Sequence, residues 1–357
     1  MPALVKAIGL MSGTSLDGID AALLVTDGER IDTFGPSLSI PYDETFRMQL
    51  KGLLLGSGDA LLMEQELTKR HAEAVKVLLD KAAMQPKDIG VVGFHGQTII
   101  HRPDEGITRQ LGDGSLLAAL TGINVVNDFR RRDMAEGGQG APLVPVYHAA
   151  LVKNRPLPVA LVNIGGVANV TWIGENKQIM AFDTGPGNAL LDDWIGKNTG
   201  ASCDEDGKIS ASGKVDDEII LHLVGHSYFT KSPPKSLDRN SFDTRRVAAL
   251  SLEDGAATLA AFTVETIIRA ADHFPKMPKA WFITGGGRHN KTIMRGLRKA
   301  FGQDKVLPIE EIGTDGDMTE AQAFAYLAVR SVYGLPLTFP ATTGTRRPVP
   351  GGAFYRV

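Results

Sequence analysis

The sequence predicts an α/β protein built from two lobes. Strand patterns alternate with helix patterns along 357 residues, which are too many for one small core. The opening arrangement is a hydrophobic strand that turns on glycine and returns as a strand, and it occurs again later as VALVNIGGVANVTWI. Because identities between the halves are few, we interpret this as a duplicated architecture and not as a sequence repeat. The cleft between two such lobes is the expected ligand site.

Composition narrows the class of protein. Apolar residues make up 43% of the chain, charged residues 22%, and the formal net charge is −3, which fits a globular protein and argues against a nucleic-acid binder. The single cysteine excludes an intramolecular disulfide and a cysteine-rich metal site. The first residues lack a signal-peptide pattern, and no run approaches the roughly 20 apolar residues that cross a bilayer. We therefore expect a soluble cytoplasmic protein without nucleic-acid or membrane partners.

The first half of the chain contains five recognisable strands and two helical stretches. Two strands, VKAIGL and AALLVTD, flank the loop MSGTSLDGID, and a third follows as IDTFG. Apolar residues at three- and four-residue spacing predict helix from Glu44 to about Ala83. A buried strand, IGVVGFHGQTIIH, then leads through the helix GDGSLLAALTG into the strand INVVNDF.

The second half repeats the strand pattern before its long helices. VALVNI and VANVTWI are separated by a glycine turn, and IMAFD leads through TGPG into a helix that starts near Asn188. LEDGAATLAAFTVETIIRAADHF is a long helix. AWFIT is a strand that ends in glycines, and NKTIMRGLRKAF is the helix after it.

The opening loop has the composition of a phosphate-binding loop. Gly13 and Gly18 allow close approach of the backbone to an anion, and the hydroxyls of Thr14 and Ser15 are donors. Asp17 would repel phosphate unless a divalent cation lay between them, which suggests magnesium. A long polar hairpin loop without a ligand explains the same residues, and this stretch alone leaves both interpretations open. Neither a GxxxxGK[ST] nor a GxGxxG motif is present.

Asp183 is the strongest catalytic candidate. It follows an apolar strand and precedes a glycine turn and a helix, so it is expected at a strand end, where a carboxylate is well placed as a general base. The alternative is that it only caps the helix, but a turn separates the two. The glycine turns at Gly165–Gly166 and at Gly285–Gly287 would let a ligand lie against bare backbone, although each is a weak motif alone.

Other polar residues have both a functional and a structural explanation. His95 and Gln97 lie at a strand end, and a single histidine is more often structural than catalytic. Arg130 matches carboxylate geometry with two parallel bonds and Asp128 suits a hydroxyl, but a surface salt bridge is an equal alternative. Glu320 lies at the start of a helix, where its negative charge interacts favourably with the helix dipole.

Taken together, these motifs resemble a known family. MSGTSLDGID, HGQT, DFR with GGQGAPLVP, NIGGVANVT, FDTGPGN and TGGG occur here in one order. This order is similar to that of the 1,6-anhydro-N-acetylmuramic acid kinases, which belong to the actin, hexokinase and heat-shock chaperone superfamily. The resemblance extends from Ile8 to about Ala328, whereas residues 203–240 and the tail after Phe339 match little.

The resemblance implies a fold, a reaction and an oligomeric state. It implies two ribonuclease-H-like lobes around a central nucleotide cleft, with residues 1–128 and 342–357 in one lobe and residues 129–341 in the other. It also implies that ATP, Mg²⁺ and water convert a 1,6-anhydro sugar of peptidoglycan recycling into N-acetylmuramic acid 6-phosphate and ADP, in a homodimer. A kinase for another anhydro sugar, such as levoglucosan, is the alternative.

The resemblance also implies roles for individual residues. Asp183 would orient and deprotonate the water, with an ordinary pKa of roughly 4. The residues expected to contact the nucleotide are Gly13, Thr14, Ser15, Leu16, Asp17, Gly18, Ile19, Asp20, Gly165, Gly166, Gly285, Gly286 and Gly287. Asp17 would act on the magnesium ion through water. The residues expected to face the sugar are His95, Gln97, Asp128, Arg130 and Glu320. Arg130 is the candidate for the lactyl carboxylate, and whether Glu320 binds sugar or metal stays open.

Overall fold

The computed structural model describes residues 2–13, 16–237 and 241–357. The chain forms two compact units, Met1–Lys153 with Met318–Val357 and Asn154–Asp317. The units therefore divide elsewhere than at residues 128 and 342, where we expected the boundaries. The physical reason is packing, because Phe129 lies 5.3 Å from Phe324 and Tyr147 lies 5.6 Å from Tyr326 between ring centroids, all in one core of the first unit.

Strands make up the centre of each unit. Within the described residues they are β1 Val5–Ser12, β2 Gly18–Thr26, β3 Ile31–Pro41, β4 Val91–Arg102, β5 Ile107–Leu111, β6 Val125–Asn127, β7 Val159–Ile164, β8 Val167–Ile173, β9 Ile179–Pro186, β10 Ala280–Thr284, β11 Val306–Pro308 and β12 Ala353–Tyr355.

Helices cover these strands. Within the described residues they are α1 Glu44–Leu54, α2 Ala60–Ala82, α3 Gly114–Thr121, α4 Arg131–Ala135, α5 Pro145–Leu151, α6 Ala189–Thr199, α7 Lys208–Ser212, α8 Asp217–Val224, α9 Leu252–Ala270, α10 Lys291–Phe301, α11 Thr319–Val332 and α12 Pro340–Thr343. In the part of the chain that the structure describes, no helix combines the length and the apolar character needed to cross a membrane.

The helix expected from Glu44 to Ala83 is two helices. Gly56 and Gly58 separate them with φ angles of 84° and 105°, a region that favours glycine. The Asp59 side chain then accepts hydrogen bonds from the backbone N–H groups of Leu61 and Leu62, so it caps the start of α2.

The two sheets share five strands of the same topology. In the first, β3, β2 and β1 are antiparallel neighbours, and β4 and β6 continue parallel to β1. In the second, β9, β8 and β7 are antiparallel neighbours, and β10 and β11 continue parallel to β7. The first sheet adds β12 beside β6 and β5 beside β4. The predicted α/β class, with two ribonuclease-H-like lobes and a duplicated architecture, is confirmed.

Helix α11 packs directly on the backbone of the first sheet. A Cβ atom on Gly9 of β1 would lie 1.8 Å from the Ala321 carbonyl oxygen, and one on Gly93 of β4 would lie 2.0 Å from that of Phe324. Glycine is therefore required at both positions by the closeness of the helix. This packing determines where α11, whose first turn contains Glu320, lies on the sheet.

Helix α9 packs on the second sheet in a similar way. A Cβ atom on Gly185 of β9 would lie 2.5 Å from the Thr266 hydroxyl oxygen. Phe182 and Trp281 are almost fully buried in the core of this unit. The strand that carries Asp183 is therefore held on both sides of that residue.

Candidate active site

The opening loop is held at its base by a buried polar cluster. The Ser12 hydroxyl donates to Gln97 Oε1 at 2.6 Å and lies 2.8 Å from the Tyr42 hydroxyl. Gln97 Nε2 donates to the Gly13 carbonyl oxygen at 3.1 Å. Gln97 is 0% exposed, so its amide supports the loop and presents no surface to a sugar in this structure. Thr14 and Ser15, expected to be donors in this loop, lie outside the described residues.

The described residues of the opening loop differ in their exposure and in their contacts. Leu16 and Ile19 are buried, so only their backbone is available to a ligand. Asp17 is exposed, and its carbonyl oxygen accepts from the Tyr42 N–H at 2.9 Å. Gly18 was expected to admit an anion, but a Cβ atom there would lie 2.4 Å from the Ile40 carbonyl oxygen. Pairing with β3 therefore explains this glycine without a ligand.

Arg130, His95 and Glu320 form a charged group in the first unit. Arg130 Nη1 donates to the Gly140 carbonyl oxygen at 2.7 Å, and its Nη2 lies 2.9 Å from His95 Nε2. His95 Nδ1 lies 2.6 Å from the Gly96 carbonyl oxygen, which makes Nδ1 the donor and Nε2 the acceptor. His95 thus orients the guanidinium group of Arg130, and the His95 side chain is itself buried.

The charges in this group follow from burial and proximity. Burial, and then the positive Arg130, hold the pKa of His95 well below its ordinary value, so the ring is neutral at pH 7. Burial lowers the pKa of Arg130 to about 10, which leaves it charged. Burial raises the pKa of the half-buried Glu320, while Arg130 opposes that rise and Asp20 adds to it. A cation and a carboxylic acid with a raised pKa therefore lie close to each other here.

Asp128 is engaged elsewhere. Its carboxylate lies 2.8 Å from Arg131 Nε, which is the surface ion pair that the sequence left open as an alternative. Its φ angle of 52° is in the left-handed region, which aspartate tolerates better than most residues. Asp128 thus shapes the turn before α4, and its exposed pair contributes little to stability.

Asp183 lies within β9 and not at its end. The strand continues to Pro186, and Asp183 pairs with Asn169 of β8 just before a register shift. The Asp183 N–H donates to the Lys235 carbonyl oxygen at 3.0 Å, and the Leu237 N–H donates to Asp183 Oδ2 at 2.8 Å. The Tyr228 hydroxyl donates to the Asp183 carbonyl oxygen at 2.5 Å. The sequence did not indicate these three partners, because they come from residues 203–240, which matched little of the family pattern.

The pKa of Asp183 differs from the ordinary value that we expected. Burial raises it to about 7, and the hydrogen bond from the Leu237 N–H partly opposes the rise by favouring the charged form. A carboxylic acid with this pKa exchanges protons at neutral pH. Perturbed acids of this kind are frequent in active sites.

The raised pKa predicts that Asp183 destabilises the folded protein at neutral and alkaline pH. The folded state binds the proton more tightly than the unfolded chain, whose aspartate has a pKa of roughly 4, so stability falls as pH rises between roughly 4 and about 7. We expect Asp183→Asn to melt several degrees above the wild type at pH 8. Thermal denaturation at several pH values should show this difference shrinking towards pH 4. A constant difference at every pH would contradict the raised pKa.

The glycine turn between β7 and β8 is hydrogen-bonded to the residues at the start of α6. The Gly165 carbonyl oxygen accepts from the Asn188 N–H at 2.7 Å, and that of Gly166 accepts from the Gly187 N–H at 2.9 Å. The Asn188 side chain donates to the Ile164 carbonyl oxygen at 3.1 Å. The turn between β7 and β8 is therefore fixed beside the residues that follow Asp183.

The predicted nucleotide glycines divide into two groups. Gly285 has a φ angle of 75°, and a Cβ atom on Gly287 would lie 2.3 Å from Ile164 Cγ2, so local structure requires both. At Gly165, Gly166 and Gly286 an added Cβ atom would meet nothing closer than 3.6, 3.8 and 3.7 Å, respectively. Packing within the protein does not require glycine at these three positions. The close approach of a ligand to the backbone would require it.

The sequence is similar to one known family of proteins. A family model described as anhydro-N-acetylmuramic acid kinase matches residues 5–357. The chain is 51% identical to the anhydro-N-acetylmuramic acid kinase of Rhodospirillum rubrum, covering 98% of this chain and 94% of that protein. It is 50% identical to the enzyme of that name from Paramagnetospirillum magneticum, covering 97% and 98%.

Among solved structures, the chain is similar to a ROK family glucokinase from Streptomyces griseus in complex with glucose and AMPPNP. The identity is 14%, the TM-score is 0.40, and the match covers 90% of this chain and 99% of that one, a level from which no conclusion follows. The match to the family model over nearly the whole chain, with half-identical relatives of the same length, is decisive. The chain belongs to the anhydro-N-acetylmuramic acid kinase family.

Proposed function

We propose that this protein is an ATP-dependent kinase that acts on 1,6-anhydro-N-acetylmuramic acid. It opens the 1,6-anhydro bridge with water and phosphorylates O6, giving N-acetylmuramic acid 6-phosphate and ADP in the recycling of peptidoglycan. Family membership and the names of the curated relatives support this substrate and do not support levoglucosan. A cytoplasmic homodimer is part of the same proposal.

The observation that best supports this mechanism is the environment of Asp183. Its main chain is bonded on both sides, one carboxylate oxygen accepts from Leu237, and its pKa is about 7. A general base is most effective when its pKa lies near the working pH, because it is then both ionised and basic. Asp183 fits this requirement, whereas an aspartate with an ordinary pKa is a weak base.

We propose the following course for the reaction. Asp183 orients a water molecule and takes its proton as the water oxygen bonds to the anomeric carbon. The bond between that carbon and O6 breaks, and O6 bonds to the γ-phosphorus as the β–γ bridging bond breaks and ADP leaves. Phosphoryl transfer depends mainly on positioning and on neutralisation of charge, so the protein needs few covalent roles.

The proposed nucleotide contacts follow from the backbone of the opening loop and from the glycines at which an added Cβ atom would not clash. We propose that the loop from Gly13 to Asp20 contacts the β- and γ-phosphates through main-chain donors, and that Gly165, Gly166 and Gly286 lie against the nucleotide. The exposed Asp17 carboxylate suits a Mg²⁺ ion held through water, since this ion keeps several waters and few protein ligands. When bound, Mg²⁺ neutralises phosphate charge.

The sugar roles follow from the charged group of the first unit. We propose that Arg130 binds the lactyl carboxylate, because each terminal guanidinium nitrogen carries a second N–H beyond its bond to Gly140 or His95. Glu320 lies close enough to Arg130 to influence its pKa, which favours a sugar contact over a metal contact. His95 supports Arg130 from within the protein, and Gln97 supports the opening loop.

The decisive experiment is a product analysis in heavy-oxygen water. The protein is incubated with ATP, Mg²⁺ and 1,6-anhydro-N-acetylmuramic acid, and the product is examined by mass spectrometry. We expect one heavy oxygen at the anomeric position and one phosphate on O6. ADP release that is equally fast without the sugar would overturn the proposal and would favour an ATPase or a nucleotide-dependent binding protein.

A pair of glycine substitutions tests the nucleotide assignment. Gly286→Ala should fold normally, since its Cβ atom meets only Asn188 Nδ2 at 3.7 Å, but it should raise the KM for ATP several-fold. Gly287→Ala should instead lower the melting temperature, because its Cβ atom would lie 2.3 Å from Ile164 Cγ2. Initial rates at varied ATP and thermal denaturation separate the two effects. An unchanged KM in Gly286→Ala would remove Gly286 from the nucleotide site.

A further inference from the structure

The segment from Tyr228 to Leu237 holds Asp183 at three points. The Tyr228 hydroxyl donates to its carbonyl oxygen at 2.5 Å, and the Lys235 carbonyl oxygen accepts from its N–H at 3.0 Å. The Leu237 N–H donates to Oδ2 of its carboxylate at 2.8 Å. Two of these bonds fix the main chain of Asp183, and the third sets the rotation of the carboxylate.

Lys235 anchors this segment in an unusual way. Its side chain is buried, with only 7% of the residue exposed, and Nζ lies 3.3 Å from the Tyr228 carbonyl oxygen and 3.2 Å from His273 Nε2. Nζ also lies over the rings of Tyr228 and Phe182, 4.9 and 5.7 Å from their centroids. These partners are neutral or aromatic.

His273 fixes the position of the ammonium group. Burial, and then the positive Lys235, lower the pKa of His273, so its ring is neutral and Nε2 is available as an acceptor. Its ring also packs edge-on against Phe182, with centroids 5.4 Å apart. Lys235 therefore links the segment to the residue that precedes Asp183 in β9.

Burying an ammonium group among such partners is costly, and an apolar side chain would fill the same space more cheaply. The carbonyl oxygen that accepts from Asp183 does not explain the ammonium, since any residue at position 235 supplies that oxygen. What the ammonium adds is a directed bond back to the Tyr228 carbonyl oxygen. That bond holds both ends of the segment in place beside Asp183 of β9.

We propose that Tyr228 and Lys235 are positioning residues for the Asp183 carboxylate. They keep the Leu237 N–H on Oδ2, so that Oδ1 takes the proton of the attacking water. Neither side chain touches the reacting atoms in this proposal. The inference rests on the proposed role of Asp183 as general base, and it assigns a function to part of residues 203–240, the stretch that matched little of the family pattern.

The test uses two nearly isosteric substitutions in the full-length protein. Tyr228→Phe removes only the hydroxyl, and Lys235→Met removes the ammonium with little change in length. We expect each to lower kcat roughly ten- to a hundredfold, because small misplacements of a catalytic group are expensive, while the KM for ATP stays within about twofold. Tyr333→Phe is the matched control, since it removes a comparable bond to the Ala3 carbonyl oxygen in the other unit.

A second measurement separates positioning from a merely structural role. Loss of the Leu237 hydrogen bond removes an interaction that favours the charged carboxylate, so the acid limb of kcat/KM against pH should move upward by roughly half a unit or more. Lys235→Met also removes a positive charge from the segment, whereas Tyr228→Phe and Tyr333→Phe leave its two charged side chains, Lys231 and Lys235, in place. If Lys235→Met does not fold, Tyr228→Phe decides alone.

The outcomes distinguish this inference from the proposed function. Wild-type kcat and an unmoved acid limb in both variants overturn the positioning role, as does a fall in kcat that follows the melting temperature alone. If Asp183→Asn retains activity, or if the wild type has no acid limb near pH 7, the general base itself is wrong and the inference fails with it.

Discussion

Replacing Asp183 by asparagine is expected to lower kcat by about a thousandfold or more, which is the usual scale for removing a general base. Asparagine has nearly the same shape, and its carbonyl oxygen still accepts from the Leu237 N–H, so the local structure should persist. What is lost is the ability to take a proton. Because the substitution leaves the glycine turns unchanged, ATP affinity should stay near that of the wild type.

The measurement is a steady-state rate with a separate determination of ATP binding by calorimetry. Asp193→Asn is the control, since Asp193 is an exposed aspartate in α6, only ten positions further along the chain. It should retain normal activity. If Asp183→Asn works at a rate comparable to the wild type, Asp183 has no part in proton transfer, and a lost ATP affinity would indicate a structural role.

The architecture was readable from the sequence because it is local. Each opening strand, its turn and the returning strand are contiguous, and alternation with helices indicates the class. The same sheet order in both units follows from that repetition. The unit boundary was not readable, because it depends on the packing of Phe129 and Tyr147 against a helix that begins at Thr319.

The site was readable only as a set of candidates. Asp183 stood out by its neighbours in the sequence, yet its pKa depends on burial in the fold and on a hydrogen bond from Leu237, 54 positions further along the chain. Gln97 shows the reverse case. It lies in a motif, and only the tertiary contacts to Ser12 and Gly13 show that its amide is used within the protein.

Glycine shows how far a residue type can be interpreted from sequence. Gly18 and Gly286 both lie in turns that looked suitable for phosphate. A neighbouring strand explains the first, whereas a Cβ atom on the second would meet only Asn188 Nδ2, at an ordinary contact distance of 3.7 Å. Sequence cannot tell close packing from ligand approach, because both exclude a side chain for the same steric reason.

Arg130→Ala has the second largest expected effect, and it falls on one substrate and not on another. We expect kcat/KM for 1,6-anhydro-N-acetylmuramic acid to fall by about a hundredfold or more, since a charge-assisted bidentate pair is worth several kcal/mol when water is excluded. For 1,6-anhydro-N-acetylglucosamine, which lacks the lactyl ether, the wild type should already be slow. The substitution should then cost this substrate little.

The comparison of two substrates removes the ambiguity of a single rate. Arg130 also supports His95, so its loss leaves a buried acceptor at Nε2 and costs about 1 kcal/mol or more of stability. That cost acts on both substrates equally, whereas loss of a carboxylate contact acts on one. Arg132→Ala, at an exposed position two residues away, should leave both rates unchanged. Equal losses for the two sugars in Arg130→Ala would mean that Arg130 shapes the site and does not bind the lactyl carboxylate.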